Sequence, residues 1–325
     1  MGKLFLGIDT SNYTTSSALC NEHGEILLNA KAPLPVKEGE RGLRQSDAVF
    51  HHVKNLPLCS EAVKATLSNI SDGSISAVGC SYAPRDVAGS YMPCFLSGVA
   101  AAEFVSATSD VPLYKVSHQA GHIMAALASA CDNNGISRES IMVTPFIAFH
   151  VSGGTTDVLL CEPDEERIFK ITQIGGTKDI NGGQAIDRTG VLMGLPFPCG
   201  AEMDRCALTY TGKVRRDQLS VKGTWCNLSG LENKAAELYN SCGDIAEVSA
   251  YTLSFIGRTL EKITQNALAE FGEMPVIYAG GVMSSQYIKA TLQKYGMFAD
   301  AQYSSDNAVG VALLTAELFR RDMLI

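Results

Sequence analysis

Three short apolar stretches, each cut off by a tight polar turn, open the chain and recur near its middle, and this recurrence limits the folds open to it. In the first set Leu4 to Ile8 runs into the hydroxyl-rich segment Asp9 to Leu19, turns at His23-Gly24 and continues from Glu25 to Ala30. In the second, Phe146 to Val151 meets Ser152-Gly153-Gly154-Thr155, Thr156 to Cys161 turns at Pro163-Asp164, and Ile168 to Ile174 follows. Apolar runs of this length between Gly, Ser, Asn and Pro clusters read as strands of a meander. After the first set the spacing predicts a helix over 46–67, a strand over 75–80, a small-residue helix over 96–108, a strand over 113–116 and a helix from His118. That order is β-β-β-α-β-α-β-α.

The second set is also followed by helices, the longest over 246–271, and by a strand at Val276-Ile277-Tyr278. The repeat is one of pattern, without strong residue identity. Two such halves facing each other across a cleft lined by two phosphate-binding hairpins form the α/β architecture of actin and the sugar kinases. The expected division is an N-terminal lobe over 1–135, with a final helix over 306–322 packing back on it, and a C-terminal lobe over 136–325 carrying nucleotide-binding elements. A chain of 325 residues, 46% of them hydrophobic, supplies two cores of ordinary size.

Acidic residues outnumber basic ones, 34 to 26, so the whole-chain field repels polyanions. The conspicuous basic patches are Lys213 to Arg216 with Lys222, and Lys37 to Arg44. Ten scattered cysteines without a Cys-x-x-Cys pair read as buried reduced thiols rather than a disulfide framework or zinc ribbon. No apolar run approaches the roughly 18 residues that span a bilayer, and the N-terminus turns polar too soon for a signal peptide, so a cytoplasmic protein without a membrane partner is expected.

Chemistry concentrates between Val116 and Asp157. His118 and His122 are four apart, so on one helix both imidazoles share a face at chelate spacing; ordinary polar residues at a helix start give the same pattern. The turn Val151-Ser152-Gly153-Gly154-Thr155 has backbone room for a phosphate, although many hairpins use Ser-Gly-Gly only to turn. In the first hairpin Asp9 stands among hydroxyls: the carboxylate suits a metal or water, and Ser11 and Thr15 suit a phosphate, as does Arg85 in the loop over 84–91. Asp187 and Asp204 are carboxylates able to take ribose hydroxyls, or simply solvated helix residues. Gly280-Gly281, between a strand and a helix, is where adenosine and phosphate sit in open α/β sheets, and Asp306 is an N-cap, a metal ligand, or both.

Taken together, the sequence resembles the universal tRNA threonylcarbamoyladenosine transferase family, formerly termed O-sialoglycoprotein endopeptidases or glycoproteases. The resemblance spans nearly the whole chain and rests on His-x3-His, the Val-Ser-Gly-Gly turn, Gly-x-Ala-x-Asp before Gly-Leu-Pro-x-Pro-x-Gly, the late Gly-Gly-Val and Ser-Asp-Asn-Ala at the last helix. It implies His118, His122 and Asp306 as ligands of one divalent transition metal, iron or zinc, with His150 where archaeal members carry a ligand tyrosine. It implies Val151 to Thr155 for the phosphate of an ATP- or AMP-type adenylate, and Asp187, Gly200, Asp204, Gly280, Gly281 and Ser285 for its nucleoside, Ser285 standing where the family usually has an adenine-contacting asparagine.

The resemblance implies transfer of a threonylcarbamoyl group from an adenylate to adenosine of tRNA, with Asp9 as the candidate base or water-orienter. The protein is then expected to reach tRNA through a partner, as a hetero- or homo-oligomer formed by its N-terminal lobe. It departs from the family where the acidic hairpin becomes Asp9-Thr10-Ser11-Asn12-Tyr13-Thr14-Thr15 and where Asp179-Ile180-Asn181-Gly182-Gly183-Gln184-Ala185 replaces an Asp-Asp-Ala-Ala-Gly-Glu-Ala motif. These departures mark a divergent paralogue and keep two alternatives open: a carbamoyltransferase with a non-tRNA acceptor, and a nucleotide-binding scaffold subunit. A protease reading fails, because Gln119 stands where a His-Glu-x-x-His helix needs its glutamate.

Overall fold

The computed structural model describes residues 2–11, 13–35, 43–303 and 307–324. In chain order the elements are β1 (Gly2–Ser11), β2 (Thr14–Asn21), β3 (Ile26–Pro33), α1 (Gln45–Ser68), β4 (Gly73–Ala83), α2 (Phe95–Ser109), β5 (Leu113–Ser117), α3 (His118–Asn134) and α4 (Arg138–Met142). There follow β6 (Phe146–Val151), β7 (Thr156–Asp164), β8 (Ile168–Thr177), α5 (Gly182–Leu192), α6 (Gly200–Thr209), β9 (Val221–Lys222), β10 (Trp225–Cys226), α7 (Gly230–Cys242) and α8 (Ile245–Phe271). The chain ends with β11 (Val276–Ala279), a 3-10 turn at Gly281–Ser284, α9 (Gln286–Leu292), β12 (Met297–Phe298), a second 3-10 turn at Ala301–Tyr303 and α10 (Val309–Asp322). Two compact units result: Met1–Ala128 with Pro163–Lys170 and Ser305–Ile325, and Ser129–Glu162 with Ile171–Ser304.

The first unit holds a sheet of order β3-β2-β1-β4-β5, in which the meander is antiparallel and the β1–β4 and β4–β5 pairs are parallel. Parallel neighbours need crossovers, and α1 and α2 supply them. Leu4 to Ser11 of β1 are buried without interruption, the pattern of a strand covered on both faces. One cover is α10, which packs on β1, β2 and β4. Gly7 admits it, since a Cβ there would run into the backbone of Ala308 and Ala312. Leu6, Ile8, Leu19, Val78 and Ala102 form the core between the sheet and α1 and α2.

The second unit repeats the plan, with a sheet of order β12-β11-β6-β7-β8-β10-β9. β6 pairs antiparallel with β7 and parallel with β11, so β8-β7-β6-β11-β12 matches β3-β2-β1-β4-β5. Within 214–229, β9 and β10 form a short antiparallel hairpin that extends the sheet, because β10 also joins β8 in parallel through Trp225 and Cys226. Phe149, Tyr278 and Phe298 stack across β6, β11 and β12 with ring centroids 5.1 and 4.9 Å apart. They hold the ends of these strands beneath α8, which begins where Asp244 accepts the amides of Ala246 and Glu247.

All ten cysteines remain thiols, eight of them buried. Among the described residues no helix is long and apolar enough to cross a membrane.

Candidate functional site

In the first unit the strand ends of β1, β4 and β5 bring together residues far apart in sequence. Asp9 is fully buried and its carboxylate accepts from the hydroxyls of Ser11 (2.6 Å) and Ser81 and lies 3.1 Å from His118 Nδ1. His118 starts α3 directly after β5, and one turn later His122 places its Nε2 2.9 Å from His118 Nε2. Burial is the largest influence on Asp9 and opposes its charge, but the charge and hydrogen bond of His118 with the Ser11 and Ser81 hydroxyls outweigh it. The carboxyl therefore ionises below its ordinary range.

This placement sets what the first hairpin presents. A base must reach solvent or substrate, whereas Asp9 is sealed in and aimed at an imidazole. Thr15 is also fully buried, with its hydroxyl 2.9 Å from Nδ1 of His52, and the Ser11 hydroxyl is spent on Asp9, so neither presents to a phosphate. Arg85 lies in a braced loop: its amide donates to Ser90 Oγ, Pro84 O accepts from the amide of Gln119, and Asp86 accepts from Tyr82 and Ser117. Ser117 in turn caps α3 by accepting the Ala120 amide. Ser81 and Asp86, which orient this end of the unit, were not singled out from sequence; their only signal is position at and just beyond the C-terminal end of a parallel strand. Asp306 lies outside the described residues, as does most of the basic segment from Lys37 to Arg44. Among the described residues no group of three or more His, Cys, Asp or Glu is disposed around a metal position.

In the second unit β6 and β11 end side by side, with His150 opposite Ala279 and, across the hairpin, opposite Asp157. The Ser152–Thr155 turn is tightly bound to itself: Ser152 N donates to Thr155 O (2.8 Å), and Ser152 Oγ accepts from the amides of Gly154 (3.2 Å) and Thr155 (3.1 Å). The Gly153 amide enters none of these bonds, so among the turn's backbone amides it is the uncommitted donor, beside the Ser152 and Thr155 hydroxyls, which lie 3.4 Å apart. Asn181 Nδ2 holds Gly154 O at 2.8 Å, and the Gly183 amide donates to Ser152 O. Asn181 also caps α5 in a capping box with Gln184, a spacing visible in the sequence and overlooked there. Gly183 must be glycine, because a Cβ would sit 2.6 Å from Gly153 N. Gly280, at φ 102°, presses on the Val151 backbone, and Gly281 begins a 3-10 turn before the expected helix.

The carboxylates expected at a ribose are anchors of helix starts. Asp187 Oδ1 accepts the Cys199 amide (2.8 Å), fixing the entry to α6 at Gly200. Both oxygens of Asp204 are engaged, by the Ser285 hydroxyl and the amides of Gln286 (3.0 Å) and Tyr287 (3.1 Å). Ser285 itself caps α9 by accepting from Ile288 N. Asp157 accepts from Gln173.

The fold of the chain resembles that of the HypF protein of T. kodakarensis (TM-score 0.57, 12% identity, 99% of this chain and 48% of that one). It also resembles a ROK family glucokinase of Streptomyces griseus in complex with glucose and AMPPNP (TM-score 0.50, 13% identity, 97% and 99%). These likenesses establish the actin-like, sugar-kinase-like α/β fold. Among curated proteins, the tRNA N6-adenosine threonylcarbamoyltransferase of Streptococcus equi subsp. zooepidemicus is 30% identical over 304 residues, 90% of this chain and 83% of that protein. The enzyme of the same name from Thermosipho africanus is 27% identical over 98% of this chain and 95% of its own length. The family model described as "TsaD: tRNA N6-adenosine threonylcarbamoyltransferase" matches residues 36–313. By that match, and by the extent of these relatives, the chain belongs to the tRNA N6-adenosine threonylcarbamoyltransferase family.

Proposed function

We propose that the protein is a metal-dependent acyltransferase that moves a threonylcarbamoyl group from an adenylate to the N6 amine of an adenosine in tRNA. The amine nitrogen attacks the carbamoyl carbon, the bond from that carbon to the phosphate oxygen breaks, AMP leaves and the amine loses a proton. The observation that carries this reading, in a chain of this family, is the Asp9–His118–His122 relay. The Asp9 carboxylate faces Nδ1 of His118 and so holds a proton on that nitrogen, which turns Nε2 of the same ring toward His122 Nε2.

Two imidazole nitrogens converging from one helix face fit a first-row transition ion such as iron or zinc. His118 and His122 would hold it, and Asp306 is the further ligand the family pattern supplies. When bound, the ion provides a Lewis acid that anchors and polarises the adenylate. Asp9 is then a positioning residue rather than a base. In the second unit, Gly153 N and Asp187 Oδ2 are the groups left to meet a phosphate and a ribose hydroxyl, while Asp204 and Ser285 position α9. The protein is no protease: Gln119, in α3 between the two histidines, offers no general base.

We place the protein in the cytoplasm, acting with a protein partner. Supporting the partner is an apolar stripe on α2: Leu96, Ala100 and Phe104 lie exposed along it, with Phe50, Val53 and Leu58 of α1 also exposed. An apolar groove of about 430 Å³ opens between α1 and α2. The altered first hairpin and the changed Asp179 to Ala185 segment favour, as the second reading, a carbamoyl acceptor other than tRNA. Complementation of a strain depleted of its own threonylcarbamoyltransferase, with tRNA nucleosides read by mass spectrometry, decides between them. Growth with restored threonylcarbamoyladenosine supports the first; a catalytically competent protein that leaves tRNA unmodified supports the second.

A further inference from the structure

In a chain whose acidic residues exceed its basic ones, one groove reverses the balance. It lies in the second unit, has a volume of about 870 Å³, and is lined by Lys213, Arg216, Arg258 and Lys294 against a single carboxylate, Glu261, with Tyr287 in its wall. Glu261 is paired with Lys294 at 2.8 Å. Among the described residues, the half-buried Arg258 donates to the backbone oxygen of Asp217. Neither Lys213 nor Arg216 forms an ion pair among the described residues.

The loop over 213–217 presents these charges. Asp217 is fixed by the buried Tyr251, whose hydroxyl donates to it at 2.7 Å, and by Arg215 at 3.0 Å; Arg215 also reaches Glu237. Arg215 is thereby consumed within the protein, while its neighbours Lys213 and Arg216 are exposed. Exposed cations gathered beside a half-buried guanidinium make a local positive field that draws an anion into the groove. An open groove with cations at its rim suits an extended anion better than a compact one, since each exposed charge meets a separate phosphate.

We infer that this groove holds the phosphodiester backbone of RNA, through Lys213, Arg216, Arg258 and Lys294. The choice of RNA over other polyanions rests on the transferase reading; the groove itself does not. It supplies a local contact that offsets the repulsive net charge without conferring tight binding on the isolated chain.

The test is fluorescence anisotropy of the full-length protein with a labelled anticodon stem-loop RNA, across about 50 to 200 mM salt. For Lys213→Ala/Arg216→Ala, loss of two phosphate contacts lowers the slope of log affinity against log salt by about 1.4 to 1.8. The charge-preserving Lys213→Arg/Arg216→Lys and the Lys222→Ala control, outside the groove, keep the parent slope. An unchanged slope in the alanine variant, or no RNA binding by the parent even at the lowest salt, overturns the inference. So does a result in which tripolyphosphate stabilises the protein through Lys213 and Arg216 while RNA binding ignores them. Thermal stabilisation by ATP and the complementation assay are read in parallel: if both succeed while the groove variants bind RNA normally, the groove assignment fails and the transferase reading stands.

Discussion

Asp9 Oδ1 lies 3.1 Å from His118 Nδ1, so the second nitrogen of that imidazole, not the carboxylate, faces the place where chemistry is possible. A carboxylate behind a histidine ligand fixes its tautomer and raises its basicity, and its loss weakens metal affinity by about 10- to 100-fold. The acid therefore acts through His118.

The first prediction follows. A divalent transition ion copurifies with the protein; His122→Ala loses it, and Asp9→Asn retains it with affinity about 10- to 100-fold lower. Elemental analysis after dialysis against a graded chelator series measures both. Full occupancy in the His118→Ala/His122→Ala double variant would sink the site.

Much of the fold was legible because its signals are local. The strand over 146–151 has the bounds the sequence indicated, and α3 carries both histidines on one face as their spacing requires. What could not be read were partnerships across long loops. Ser81 meets Asp9 across 72 positions, and Asp204 meets Ser285 across 81, and nothing in either local pattern names the other. Carboxylates and hydroxyls in motif positions looked like ligand contacts; folding directed several of them inward, because a buried polar group must find a partner.

Asp179 makes acid stability testable. Partial burial pushes its carboxyl up, but the Ser229 hydroxyl and the amides of Leu228, Ser229 and Ile180 outweigh that and hold it down at about 2. A depressed folded value means its stabilisation is fully present above the unfolded value near 3.8 and is lost as pH falls towards 2. Asp179→Asn is thus less stable than the parent at about pH 6, and the gap narrows by about pH 3. Urea midpoints at the two values measure it; a constant gap would show that the charge is not what these donors recognise.

Phe104 tests the apolar stripe. It is 72% exposed, so Phe104→Glu leaves the melting temperature within about the effect of an ordinary surface change, 0.5 kcal/mol or less. The same substitution puts an unpaired charge at the centre of any interface formed by α1 and α2, at a cost of several kcal/mol. Light scattering across a concentration series is expected to give oligomeric mass for the parent and monomeric mass for the variant. Identical masses at every concentration would remove self-association through this stripe.

The last prediction concerns the turn after β6. Gly183 lets the start of α5 abut Gly153, and the exposed Gly153 amide is the backbone donor of the turn that faces a phosphate in the proposed site. In Gly183→Ala a Cβ would sit 2.6 Å from Gly153 N, so either the turn or the helix start must shift. Overpacking of this kind costs about 1 to 3 kcal/mol of stability, and the displaced amide no longer meets the anion. The parent is expected to gain about 2.7 kcal/mol from ATP at a hundredfold excess over its dissociation constant. Gly183→Ala should melt lower without ligand and gain little from ATP, whereas Gly200→Ala, where a Cβ meets open space, should keep the full ATP shift unless the nucleoside itself lies against it. Thermal shift on the three proteins, with and without ATP, reads this directly. A Gly183→Ala protein that is destabilised yet keeps the whole ATP increment would show that the phosphate does not bind at this turn.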